Sequence, residues 1–272
     1  MLVHPNWDPV AFKIGPLPIH WYGIMYVVAF ALFIILGRVR IRTQPHIQAQ
    51  GWTREDLDDM LFYGMLGVVI GGRLGEVLFY QPAHFLAHPI DIFKTWQGGM
   101  SYHGGFIGVL IAMALWARKR KRNLLDVYDF IAPMVPIGYA CGRLGNFINH
   151  ELPGRLADPS LPWAMKWPGI EDHLVHPSPL YQMLVDGVLV FVIMWIFARK
   201  PRPRLAVGAL YTLLYGCARF ITEYFRVPDW ETQVLGMPIT SGQVLSLPMI
   251  VAGLLMLAWA YSDGKGKRAV HA

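Results

Sequence analysis

The chain has 272 residues, of which 54% are hydrophobic and 15% charged, with a formal net charge of +6. A soluble domain carries roughly 25% charged residues, so this composition excludes a single core surrounded by water and implies one integral membrane domain over 1–272. The positive excess does not point to nucleic acid, because the basic residues fall in short clusters between apolar runs, as membrane topology requires.

Met1–Pro18 carries Pro and Asp ahead of the first apolar run and lacks the form of a cleaved signal, so the first span is expected to direct insertion by itself. A helix crossing about 30 Å of hydrocarbon needs about 20 mostly apolar residues and satisfies its own backbone hydrogen bonds. Spans are expected near 19–37, 60–80, 101–117, 129–148, 181–198, 205–225 and 242–261. The fold expected is therefore all-α, with about seven transmembrane helices and a small external segment at about 149–180. The third span opens with Tyr102-His103-Gly104-Gly105, and the fourth holds Pro133, Pro136 and Arg143. A helix broken at membrane depth is tolerated mainly where it lines protein or a water-filled cavity.

Lys and Arg set the expected orientation. One set of loops holds Arg38, Arg40, Arg42 and Arg54, then the basic run 118–122, then Arg199, Lys200, Arg202 and Arg204, then Lys265, Lys267 and Arg268, which is sixteen of the 24 basic residues. The other set holds Lys13, Lys94, Arg155, Lys166 and Arg226, and Arg73, Arg143 and Arg219 lie inside spans. The positive-inside rule places the N-terminus outside and the C-terminus in the cytoplasm of an inner-membrane protein. Gly67, Gly71 and Gly75, Gly104 and Gly108, and Gly138 and Gly142 recur every four residues, a spacing that lets helix backbones approach in lipid. Cys141 and Cys217 fall within apolar runs and do not resemble a disulfide framework.

Ionisable residues at membrane depth mark a site by default. With this topology His20 and Tyr22 lie at the outer end of span one, and His103 at the outer start of span three. Arg143 and Asn146 lie toward the outer end of span four, ahead of Asn149, His150 and Glu151, and Arg219, Glu223 and Arg226 toward the outer end of span six. Arg143 and Asn146 share a helix face, and Arg219, Glu223 and Arg226 form one stripe with the glutamate between two arginines. Arginine's planar fork fits a pair of phosphate oxygens, so an anionic lipid headgroup is the natural partner. From the residues alone, His103 is more often a bridge between helices than a catalytic group, and Arg219–Glu223 is equally a structural pair. Arg73 and Glu76, three apart, are expected to neutralise each other, and His46, His84, His88 and His271 to lie in loops. HExxH, CxxC and GxSxG are absent, and nothing calls for a metal, a nucleotide or another cofactor.

Ser101-Tyr102-His103-Gly104-Gly105-Phe106-Ile107-Gly108 and Gly142-Arg143-Leu144-Gly145-Asn146-Phe147-Ile148-Asn149 closely resemble the bacterial prolipoprotein diacylglyceryl transferase family. His20-Trp21-Tyr22-Gly23, His176-Pro177-Ser178-Pro179-Leu180-Tyr181, and Arg219-Phe220 with Glu223-Tyr224-Phe225-Arg226 extend the resemblance over about residues 5–261. It implies transfer of the diacylglyceryl group of phosphatidylglycerol to the lipobox cysteine of a prolipoprotein signal peptide, without a cofactor. It also implies His103, Arg143 and Arg219 as catalytic residues. Tyr22, Asn146, Glu151, Gly154, Glu223 and Arg226, together with Arg143, are implied as substrate-binding. The rival function is a lipid or anion transporter with an outward-facing Arg/Glu/His site. An intramembrane hydrolase is a further rival, but no nucleophile–base pair supports it.

Overall fold

The computed structural model describes residues 2–95, 98–228, 230–234 and 237–262. Met1, Lys265, Lys267, Arg268 and His271, which bear on the expected topology, lie outside the described residues. The chain is mostly helical and is a multi-pass membrane protein. Among the described residues, five helical stretches are long and apolar enough to cross a bilayer: Trp21–Thr43, Arg54–Tyr80, Leu124–Ile148, Ser178–Phe197 and Ser241–Tyr261. The other two expected spans fall on the helices Tyr102–Lys119, of 18 residues, and Ala206–Thr222, of 17. Two compact units are formed, Met1–Gly37 with Tyr128–Ala272, and Arg38–Val127.

The second unit begins in the last turns of α1 (Trp21–Thr43), continues through α2 (Pro45–Ala49), α3 (Arg54–Gly75) and α4 (Pro82–Ala87), and reaches α5 (Tyr102–Lys119). Thr53 starts α3 with a capping box, its hydroxyl accepting from the Asp56 amide while the Asp56 carboxylate accepts from the Thr53 amide. Arg122 then donates to the same carboxylate at 2.7 Å and lies 4.1 Å over the Trp52 ring, and Arg120 pairs with Asp59. Part of the basic run is thus tied to the start of α3.

Glycine lets α3 and α5 touch backbone to backbone. A Cβ added at Gly104 would meet the Gly71 carbonyl at 2.3 Å, and one at Gly67 the Gly108 carbonyl at 2.7 Å. Gly138 and Gly142 do not behave this way: Gly138 meets only Ala29 Cβ at 3.8 Å, and Gly142 nothing described within 4 Å. Arg73 also differs from its expected pairing. Its guanidinium donates to the carbonyls of Asp91, Ile92, Gly98 and Gly99, at 2.8 Å for Ile92, while Glu76 accepts from Gln81 at 3.0 Å. The role of Arg73 is structural, but a carbonyl cage replaces the carboxylate.

α6 (Leu124–Ile131) begins in the second unit and ends in the first, and a 3-10 turn, Ala132–Met134, separates it from α7 (Val135–Ile148), where Pro133 and Pro136 interrupt the α-helical ladder. Next come α8 (Ser178–Gln182), a π-helical turn Met183–Leu189, and α9 (Val190–Phe197). The start of α10 (Ala206–Thr222) is capped from a distance. The buried Asp129 carboxylate accepts from the amides of Leu205, Val207 and Gly208 at 2.8–3.1 Å. α11 (Ser241–Tyr261) opens with a Thr240–Gln243 capping box and packs on α10, where a Cβ at Gly253 would lie 2.6 Å from the Leu213 nitrogen.

The expectation of a wholly α-helical chain is refined by short strands before the first span and between later helices. β1 (Leu2–Val3) pairs in parallel with β4 (Met165–Trp167), which pairs antiparallel with β5 (Ile170–Val175). β2 (Val10–Ile14) with β3 (Leu17–His20), and β6 (Glu231–Val234) with β7 (Met237–Thr240), form two hairpins. Phe147, Met165, Trp167 and Val175 form the core beneath the three-stranded sheet. His4 fastens β1 there, its Nε2 2.9 Å from the Phe147 carbonyl and its Nδ1 accepting from the Asn6 amide at 3.0 Å. Burial holds this imidazole below its ordinary pKa, in keeping with a neutral ring.

Candidate active site

The end of α7 supplies the first half of the site. Arg143 donates to Asn146 Oδ1 at 3.2 Å, and Asn146 Nδ2 donates to Glu151 Oε2 at 2.7 Å. Asn149 Nδ2 reaches the other Glu151 oxygen at 3.3 Å. The Arg143 guanidinium also lies 4.7 Å over the Tyr139 ring, one turn earlier on the same helix. These partners, a neutral amide and a neutral ring, fix the arginine in place without cancelling its charge. Tyr22 packs against the same helix: a Cβ at Gly145 would come within 2.7 Å of its ring.

The end of α10 supplies the other half. Glu223 is fully buried, 2.7 Å from Arg219 and 3.5 Å from Arg226. Its carboxylate rests over Gly242 in the first turn of α11, where a Cβ would fall 2.4 Å from Cδ. The partial positive charge at that helix start favours the carboxylate. One buried carboxylate between two arginines leaves net positive charge, and burial makes the pairing costly to break.

Gly154 joins the segment between α7 and α8 to this half. Its amide donates to the His176 carbonyl at 2.9 Å, and it bridges Arg226 in an antiparallel pair. Arg155 donates to the Arg226 carbonyl at 3.0 Å and to Glu231 at 2.6 Å. Beside it, the rings of His176, Tyr181 and Phe225 meet with centroids 5.2–5.8 Å apart. Burial lowers the His176 pKa from its ordinary value.

The structure therefore gathers Tyr22, Arg143, Asn146, Glu151, Gly154, Arg219, Glu223 and Arg226 in the first unit. His103 belongs to the second unit, exposed in the first turn of α5, where Ser101 Oγ caps the Gly104 amide at 3.1 Å. His20 is exposed on β3. Sequence reasoning missed Asp186, Thr222, Tyr139 and Gly242. Asp186 carried a signal, since it is an acid inside an apolar run. Gly242 carried none, because only the fold brings Glu223 above it. Among the described residues no group of three or more His, Cys, Asp or Glu is gathered for a metal ion.

Residues 9–259 match the family described as prolipoprotein diacylglyceryl transferase. A protein of Janthinobacterium sp. (strain Marseille) named phosphatidylglycerol--prolipoprotein diacylglyceryl transferase is 65% identical over 261 residues, covering 96% of this chain and 98% of that protein. Proteins of the same name from Cupriavidus metallidurans and Burkholderia mallei (strain SAVP1) are 56% and 51% identical, over 99% and 97% of this chain and 99% and 98% of their own lengths. The chain belongs to the prolipoprotein diacylglyceryl transferase family.

Proposed function

We propose that the chain transfers the diacylglyceryl group of phosphatidylglycerol to the cysteine thiol of a prolipoprotein signal peptide. The observation that carries this reading is the pair of arginine-bearing helix ends, with Arg143 secured by neutral groups and Arg219 and Arg226 sharing one buried carboxylate. Such a site suits a phosphodiester held within the membrane. The acceptor sulfur attacks the glycerol carbon bonded to the phosphate oxygen, that carbon–oxygen bond breaks, a thioether forms and glycerol phosphate leaves. Arg143 and Arg219 stabilise the charge that moves onto the leaving oxygen. Tyr22, Asn146, Glu151, Gly154, Glu223 and Arg226 shape the donor site around them.

A free thiol with a pKa of about 8.5 is mostly protonated at neutral pH, so a base is assigned, and His103 is the residue for it. The test is formation of diacylglyceryl thioether by the purified protein, phosphatidylglycerol and a lipobox peptide. His103→Asn should lower the rate roughly 10²–10⁴-fold, as loss of a general base does, with partial recovery as pH rises and more thiolate is present. A stable variant with wild-type turnover at pH 7 would remove the base assignment. No thioether from the wild-type protein would remove the function.

We read the chain as one polytopic domain of the inner membrane, with seven spans that include α5 and α10. The N-terminus and the 149–180 segment face the periplasm, as the distribution of Lys and Arg supports. With Cys141 and Cys217 replaced by serine, an impermeant thiol reagent applied from outside should modify Ser160→Cys and spare Arg120→Cys. The reverse pattern would invert the orientation. A transporter would need polar groups open to both faces. The gathered side chains lie instead at the start of α1 and the ends of α7 and α10, which favours the transferase.

A further inference from the structure

The π-helical turn Met183–Leu189 carries Asp186, a fully buried carboxylate within a membrane-spanning stretch. Such turns are rare and frequently accompany functional sites, and a buried acid at membrane depth calls for a reason. Both of its oxygens accept from Thr222 Oγ1 at 3.1 Å, and one also accepts from the Tyr139 hydroxyl at 3.3 Å. Thr222 follows Arg219 by three residues on α10 and immediately precedes Glu223. Tyr139 is the ring beneath Arg143 on α7. Gly187 lets this turn close on α7, since a Cβ there would lie 2.5 Å from Ala140 Cβ. Arg143 and Arg219 both lie within electrostatic reach of Asp186.

We infer that Asp186 is a positioning residue that fixes the spacing of the two arginine-bearing helices, acting on Arg143 through Tyr139 and on the Arg219–Glu223 segment through Thr222. The inference rests on the proposed phosphatidylglycerol site. Asp186 does not touch the donor. It accepts from a hydroxyl on each helix, so losing it frees both arginines to spread apart while their charges remain. A spread pair holds a phosphodiester less well in the ground state and in the transition state alike.

The test uses the full chain in phosphatidylglycerol-containing nanodiscs, with donor KM, kcat, donor binding and melting temperature measured together. Asp186→Ala should raise donor KM and weaken donor binding by about tenfold or more, the scale of losing one or two hydrogen bonds to a charged group. Asp186→Asn, which keeps the shape and one acceptor oxygen, should fall between it and wild type. Tyr139→Phe and Thr222→Val should each give part of the loss, and adding either to Asp186→Ala should cost little more, as for a shared network. If Asp186→Ala does not fold, the Tyr139→Phe/Thr222→Val pair carries the same test. Lower melting temperature with wild-type KM, kcat and donor binding in the folded fraction would overturn the inference and leave only a structural role. Failure of the wild-type protein to form thioether would instead strike the proposed function, while the donor-binding comparison would still decide whether Asp186 sets the site.

Discussion

Replacing Gly154 by alanine should abolish most activity and also destabilise the fold. An added Cβ would lie 2.4 Å from the His176 carbonyl, 2.5 Å from the Phe225 carbonyl and 2.9 Å from His176 Cβ. Two of these neighbours are backbone, so no side chain can swing aside to make room. The backbone there is held by Gly154 to His176, Arg155 to Phe225 and His176 to Arg155, at 2.9–3.0 Å. Overpacking of this kind costs roughly 1–3 kcal/mol, and relief requires the 225–226 segment to move. Arg226 would then leave Glu223, and Arg155 would lose the Arg226 carbonyl. Activity per folded molecule should fall on the order of 10²-fold, as for misplacement of catalytic geometry by about 1 Å. The measurement is turnover normalised to the folded fraction, beside the melting temperature. Wild-type turnover in the folded fraction of Gly154→Ala would show that the junction of the α7–α8 segment with Arg226 has no part in the site.

That glycine illustrates what the amino-acid sequence could and could not disclose. Five of the expected spans were legible because a bilayer imposes a long apolar run on a crossing helix, and the proline-marked break between α6 and α7 followed from Pro133 and Pro136. The starts of α3 and α11 are written in the capping boxes of Thr53 with Asp56 and Thr240 with Gln243. The short strands were hidden because their partners are remote: Leu2 pairs with Met165, and no local periodicity announces a two-residue strand. Gly154 stands in irregular chain, where its crowding depends on residues 176 and 225. Arg219, Glu223 and Arg226 were visible through helical spacing, and their ion pairs have the expected order. Asp186 escaped because its partners, 36 and 47 residues away, lie on other helices.

Arg143→Lys should lose at least about 10²-fold in kcat/KM for phosphatidylglycerol, although the positive charge is retained. The arginine is held at two points, by a hydrogen bond to Asn146 Oδ1 at 3.2 Å and by the Tyr139 ring 4.7 Å beneath its plane. With one guanidinium edge fixed in this way, the remaining N–H groups form a fork for two phosphate oxygens. Lysine offers one ammonium on a flexible stem. It can bond Asn146 or the phosphate well, but it cannot stack as a plane and present two parallel donors. Removing one donor aimed at a developing oxyanion costs about 10²–10³-fold in rate, so both donor binding and turnover should suffer. Asn146→Ala should reproduce part of the defect, because Arg143 then loses its lateral support and Glu151 loses the amide that donates to it at 2.7 Å. Steady-state kinetics against phosphatidylglycerol at fixed lipobox peptide, on protein whose folding is confirmed by melting temperature, checks both variants. Wild-type kcat/KM in Arg143→Lys would mean that a point charge suffices and that the planar fork is irrelevant. The phosphate contact would then pass to Arg219, which Glu223 holds at 2.7 Å.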